Sequence, residues 1–210
     1  MGYPSIPVGF EGSRMDHGLA FALGCLRNPR RVGAIAPASR ALAQAVCDEA
    51  LRGAPRVLIE VGAGTGAITR RLAIAAQALD RFVVYELDAD FADLLRIAFP
   101  EVEVLNHCAS RVDRLVIGAD MPVTLVSSLP LLSMPAHEAR LCIDAMLALV
   151  SRQPHSRLVQ YTYASPHLRP FDGIPPGWRW RRAASVWANL PPATVWTLEQ
   201  VPHSLNNGIH

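Results

Sequence analysis

The sequence predicts an α/β fold: a mostly parallel, seven-stranded sheet with an antiparallel C-terminal strand, helices on both faces and an N-terminal helical extension. Three observations predict it. Apolar runs of strand length alternate with helix-period segments between residues 56 and 163. A glycine turn, Gly62-Ala-Gly64-Thr65-Gly66, leads from the first run, Val57-Leu-Ile-Glu60-Val, into a helix. A carboxylate, Glu86, closes the second run about twenty residues later, which is the layout of a nucleotide-type pocket.

Residues 1–13 are punctuated by glycine and proline and read as irregular. From Arg14 to Arg27, Met15, Leu19, Ala22, Leu23 and Leu26 recur at helical spacing, and Pro29 ends the segment. A second helix starts after Ser39, a good N-cap, and runs through Leu42, Val46 and Ala50. Strands follow near 56–61, 82–86, 102–106, 122–128 and 156–163, with helices near 66–79, 89–97, 109–115 and 135–149. Asp88 and Asp90 suit the N-cap and first turn of the helix at 89–97. After Tyr163 comes a Pro/Gly-rich stretch, then Trp178 to Trp187 and Thr194 to Val201. Two strands in succession without a helix between them give the sheet its antiparallel end. The last nine residues read as a loose tail. The chain divides into an N-terminal extension, 1–52, and one compact domain, 53–210.

The turn pattern G-x-G-x-G differs from the dinucleotide fingerprint G-x-G-x-x-G, which aims a helix N-terminus at a pyrophosphate. Glu60 stands just before the turn, where its charge would repel a pyrophosphate and attract an ammonium or sulfonium. S-adenosylmethionine fits that requirement better than NAD. Glu86, at the sheet's carboxyl edge, can accept from both hydroxyls of a ribose.

Composition narrows the class further. The chain is 50% apolar and 18% charged with a formal net charge of +2, so it has a core for one domain, and its composition does not announce wholesale nucleic-acid binding. Every strongly basic residue is arginine. The four cysteines, Cys25, Cys47, Cys108 and Cys142, show neither C-x-x-C pairs nor a disulfide rhythm, as in a reduced, cytoplasmic protein. The apolar run Gly18 to Leu26 is too short to cross a bilayer, so any membrane contact is peripheral. No His/Cys/carboxylate cluster has metal-ligand spacing, and His107 and His155 are assigned no role.

Several segments together resemble the bacterial phospholipid N-methyltransferases, the peripheral phosphatidylethanolamine methylases. They are Arg27-Asn-Pro-Arg30-Arg31-Val-Gly-Ala-Ile-Ala-Pro37-Ala-Ser39-Arg40, the turn from Glu60 to Gly66, Glu86, Ser128-Leu-Pro130, Val159-Gln160-Tyr161-Thr162-Tyr163, and Val186-Trp-Ala-Asn189-Leu-Pro-Pro192. The resemblance implies a Rossmann-like class I methyltransferase fold, with S-adenosylmethionine held by Glu60, Gly62, Gly64, Thr65, Gly66, Glu86, Leu87, Cys108, Ala109 and Ser127. It implies successive methylation of a lipid amine in a pocket lined by Ser128, Tyr161 and Tyr163, with Arg31 and Arg40 on the lipid phosphate. An N-terminal amphipathic helix would rest on anionic membrane, at the inner face of the cytoplasmic membrane. DNA and RNA are not expected partners.

Two departures accompany the resemblance. The family pattern has Gly-Asp-Ala after the third strand, where this chain reads His107-Cys108-Ala109. An Asp expected near the end of the fourth strand is absent from Pro122-Val-Thr-Leu125. Competing readings are an rRNA adenine dimethylase-like enzyme and a non-catalytic lipid-binding protein on a degenerate methyltransferase scaffold. The first expects an Asn-Leu-Pro-Tyr-type clamp after the fourth strand, where Ser127-Ser128-Leu129-Pro130 lacks both amide and aromatic. Asn189-Leu-Pro-Pro192 has similar letters but lies in the wrong strand position.

Overall fold

A computed structural model describes residues 38–163 and 167–201. The elements are α1 Arg40–Leu51, β1 Val57–Val61, α2 Thr69–Ala75, β2 Arg81–Tyr85, α3 Ala89–Ala98, β3 Glu103–Leu105, β4 Val123–Ser127, α4 Ala136–Ser151, β5 Arg157–Tyr163, β6 Trp178–Val186 and β7 Ala193–Gln200. Short 3-10 helices at Ala76–Ala78 and Ala109–Arg114 complete them.

The strands form one seven-stranded sheet in the order β3-β2-β1-β4-β5-β7-β6. The pairs β1–β2, β1–β4, β2–β3 and β4–β5 are parallel. Strand β7 is antiparallel to both β5 and β6, so it alone runs against the others, and the expected fold class holds. The order reverses at β1/β4, so the loops after β1, β2 and β4 meet over one crevice at the carboxyl edge, where open α/β sheets bind ligands.

Period-two alternation places the core on both faces. Leu58, Phe82, Val84, Val126 and Val159 point to one side and pack with Leu42, Val46, Leu72 and Leu95 from α1, α2 and α3. Val57, Ile59, Val61, Val83, Leu125 and Leu158 point to the other and pack with Val112, Cys142, Met146 and Leu149. Ser39 caps α1 as expected, its hydroxyl accepting from Leu42 N–H at 3.2 Å. Asp88 caps α3 by accepting from the N–H groups of Asp90 and Phe91.

Two helices differ from expectation. The segment expected to be helical from 66 begins its helix at Thr69, because Gly66 N–H closes a turn on Ala63 C=O at 3.0 Å and uses those residues in the loop. The helix expected near 109–115 is a 3-10 helix over Ala109–Arg114. No helix among the described residues is long and apolar enough to cross a membrane. The first helix, Arg14 to Arg27, and the C-terminal tail lie outside the described residues.

Candidate functional site

The turn after β1 is shaped by three glycines at positive φ: Gly62 at 73°, Gly64 at 53° and Gly66 at 76°. Their surroundings divide the work among them. A Cβ on Gly62 would lie 2.6 Å from Leu129 Cδ2, and one on Gly66 would lie 2.9 Å from Leu95 Cδ2 and 3.1 Å from Phe99. Those two glycines let the turn pack against protein. A Cβ on Gly64 would meet nothing within 4 Å, so its open face is available to a ligand.

Glu86 ties the turn to the end of β2. Its Oε2 accepts from Gly64 N–H at 2.6 Å and its Oε1 from Asp88 N–H at 2.9 Å. Each carboxylate oxygen has a second lone pair, so both can still accept from ribose hydroxyls. The side chain is 7% exposed, enough shelter to strengthen such bonds. Asn106 donates from Nδ2 to the carbonyls of Glu86 and Leu87, each at 2.9 Å, and so fixes the backbone that carries the acid. Sequence reasoning missed Asn106; its place at the end of the neighbouring strand was the available signal.

Glu60 is fully buried below the turn. Ser128 Oγ donates to its Oε1 at a long 3.5 Å, and Oε2 has no hydrogen-bond partner. Burial pushes the carboxyl up to about 7; the Thr69 hydroxyl opposes the shift, the Glu86 charge adds to it, and Ser128 opposes it. An unpaired carboxyl oxygen on the strand that enters the glycine turn could pair with an ammonium.

The acceptor side is built by β4 and β5. Ser127 is buried at the end of β4, and Leu129 N–H reaches its Oγ at 3.5 Å. Ser128 N–H donates to Val61 C=O at 2.9 Å, which binds the loop after β4 to the glycine turn. Gln160, also missed, donates from Nε2 to the Leu129 and Tyr161 carbonyls at 3.1 Å, while its buried Oε1 has no partner. Tyr161 and Tyr163 meet edge to face with ring centroids 5.5 Å apart. Burial, then the neighbouring Tyr163, raises the Tyr161 phenol, and the Ser128 hydroxyl works the other way.

The remaining expected residues are more scattered. Thr65 is exposed at the turn, and Leu87 is 70% exposed on the loop after β2. Cys108 and Ala109 lead into the 3-10 helix. Burial opposes the Cys108 thiolate, but hydrogen bonds from Ser110, with Cys142 and Arg111 nearby, bring the thiol below its usual range. Arg40 is exposed at the start of α1; Arg31 lies outside the described residues. Asn189, set aside as an adenine clamp, is 3% exposed and accepts from Ser39 N–H at 2.9 Å, so it anchors the start of α1 to the β6–β7 hairpin. No group of three or more potential metal ligands occurs among the described residues.

Similar structures share this framework. TrmN from Thermus thermophilus superposes with a TM-score of 0.60 at 21% identity, over 79% of this chain and 50% of that one. The chain thus spans half the length of the Thermus protein. The 23S rRNA methyltransferase ErmE gives 0.55 at 18% identity, over 81% of this chain and 72% of that one. A putative O-methyltransferase from Klebsiella pneumoniae gives 0.57 at 15% identity, over 86% and 89%. The chain has the class I methyltransferase fold. No family model and no curated protein matches the sequence. These three neighbours carry different names on one scaffold, so the methyltransferase fold does not select a substrate.

The residues fit the cofactor that this fold implies. Glu60 offers an unpaired buried oxygen to an ammonium, Gly64 an open backbone face, and Glu86 a sheltered carboxylate to a ribose. Gly64→Ala separates this role from folding: its added methyl meets no protein atom, so the cost is about 1 kcal/mol for the positive φ. Affinity for S-adenosylmethionine is expected to fall at least roughly tenfold, since the methyl fills ligand space. Urea denaturation and calorimetric titration of the same variant check both halves.

Proposed function

We propose that the chain transfers methyl groups from S-adenosylmethionine to the amine of a phospholipid head group at a membrane surface. The supporting observation is the chemistry of the acceptor side. Ser128 donates to Glu60 below the turn and Tyr161 and Tyr163 pair on β5, while the segment after β4 lacks the amide and stacking aromatic that an adenine-directed enzyme would carry there. S-adenosylmethionine supplies, when bound, a sulfonium-activated methyl group.

The chain's own contribution is position and charge. Glu60 would pair with the cationic end of the bound cofactor, and Glu86 would hold its ribose. The tyrosine rings give the acceptor amine a low-dielectric wall that favours its neutral, nucleophilic form. Their faces also suit a head group that gains permanent positive charge as it is methylated. Ser128 Oγ donates to Glu60 and offers a hydroxyl through which the amine proton can pass to that carboxylate. Arg40 can present a guanidinium to the lipid phosphate.

Incubation with methyl-labelled S-adenosylmethionine, mixed liposomes containing phosphatidylethanolamine, and bulk RNA tests this reading. Label in mono-, di- or trimethylated lipid is expected. Label confined to RNA overturns it.

A further inference from the structure

The carboxyl edge that holds the site is rimmed with exposed apolar side chains. Leu87 follows β2 and is 70% exposed, Leu132 follows β4 at 56%, and Leu168 follows β5 at 46%. Trp187 and Leu190, in the hairpin between β6 and β7, are 75% and 87% exposed. Strand β6 runs with β1, β4 and β5, so this hairpin lies on the same edge as the glycine turn. Other exposed large apolar residues among those described are Val116 and Val201 at the opposite edge and Ile74, Ile97 and Leu141 on helices.

The hairpin is held firmly while its apolar side chains face outward. Val186 and Ala193 are buried and paired in register at its base. Asn189 is buried inside it, donating to Pro191 C=O at 2.7 Å and accepting from Ser39 N–H. A tryptophan and a leucine are thus held out on a braced turn, at 75% and 87% exposure, rather than packed into the core of the described residues. An exposed apolar patch beside a ligand site marks an interaction surface. Tryptophan in particular combines an apolar ring with an N–H donor and is enriched where hydrocarbon meets water.

Charge gives the surface its partner. Arg40 starts α1 beside Ser39, which the hairpin holds, and Arg169 follows Leu168; both are exposed, and no carboxylate among the described residues pairs with either. Asp88 and Asp90 lie at the other end of this edge, beside Leu87 on the loop after β2; Glu138 is in the first turn of α4, after the β4 loop, and Asp172 comes three residues after Arg169. The hairpin itself, with Trp187 and Leu190 exposed and the unpaired Arg40 next to the residue it anchors, combines apolar and cationic groups suited to an anionic bilayer.

We propose that the β6–β7 hairpin, through Trp187 and Leu190 with Arg40 and Arg169 behind them, docks the open edge of the site onto an anionic lipid bilayer. This deepens the phospholipid reading and rests on it. Docking in this orientation turns the crevice between β1 and β4 toward the head groups, so a lipid amine reaches Tyr161 and Ser128 without leaving the bilayer.

The test compares the full wild-type chain with W187S/L190S and with W187F. Flotation with vesicles of phosphatidylcholine and phosphatidylglycerol measures docking. Quenching of tryptophan fluorescence by bromine-labelled acyl chains locates Trp187, with W187F as the reference. Methyl transfer to a short-chain phosphatidylethanolamine below its micelle concentration measures chemistry without a bilayer. The double variant is expected to lose at least tenfold in vesicle partitioning, with unchanged transfer to the short-chain lipid. W187F is expected to keep docking and lose most of the quenching. Undiminished partitioning in W187S/L190S overturns the hairpin as the docking element and assigns it elsewhere in the chain. A wild type that labels short-chain lipid but floats with no vesicle overturns docking while leaving the phospholipid reading in place. A wild type that labels no lipid overturns both.

Discussion

Glu86→Ala is expected to lower affinity for S-adenosylmethionine by roughly two to three orders of magnitude. A hydrogen bond to a charged group contributes about 1.5–3 kcal/mol, and the carboxylate can make one to each ribose hydroxyl. A second loss accompanies the first. Gly64 N–H and Asp88 N–H both donate to this side chain, so its removal frees the turn that must present Gly64 to the ligand. Glu86→Gln is the informative companion. Its amide keeps one acceptor oxygen, but its NH2 faces one backbone N–H as donor against donor. Equilibrium dialysis with labelled cofactor is expected to rank wild type well above Gln, and Gln above Ala. Equal affinity in all three would remove Glu86 from the site.

Glu60→Gln is expected to make the protein more stable and to impair its site. The Glu60 carboxyl is raised by burial to about 7 in the folded chain, from an ordinary value of 4.5. Between those values the unfolded chain releases the proton while the folded chain keeps it, so fewer protons are bound in the unfolded state. Stability of the wild type therefore falls as pH rises through this window and levels off above about 7. The full cost is about 3 kcal/mol, since each pKa unit corresponds to about 1.4 kcal/mol. Glutamine lacks the ionisation, so its urea midpoint is expected to exceed that of wild type at pH 8 and to lie close to it at pH 5. Cofactor affinity runs the opposite way. A bound ammonium favours the ionised carboxylate, so wild-type affinity weakens as pH falls below about 7, while that of Glu60→Gln is lower and flatter. A site that stores a buried charge for its ligand is less stable without it, which is the familiar conflict between function and stability.

The parts of this molecule that were legible in its sequence are those governed by local periodicity and turn chemistry. The alternation of apolar runs and helical stretches placed the first five strands, and the two strand-like runs between Trp178 and Val201, with no helix between them, announced the inverted strand. Gly62, Gly64 and Gly66 all adopt the positive φ that their pattern required. Ser39 and Asp88 cap the helices that they precede.

What escaped the sequence depends on partners distant along the chain. Glu49, to which the sequence assigned no role, is 3% exposed on α1, paired with Arg181 and Arg52, and accepts from Thr197 at 2.8 Å. Nothing local in its helix announces strands more than a hundred residues away. Asn189 sits among letters that suggest a substrate clamp and instead holds the start of α1. Asn106 and Gln160 pin the loops that carry Glu86 and Leu129, a role visible only once neighbouring strands are in register. The chemistry-bearing acids, Glu60 and Glu86, were legible because the spacing of a strand and a glycine turn fixes where a carboxylate meets a ligand.

The most direct test of the central claim is calorimetric titration of the full chain with S-adenosylmethionine at pH 7, repeated in buffers of different ionisation enthalpy. A functional glycine turn predicts saturable binding to one site together with release of a fraction of a proton as Glu60 becomes a carboxylate. No heat of binding up to millimolar ligand would contradict the account and leave a methyltransferase fold without its cofactor.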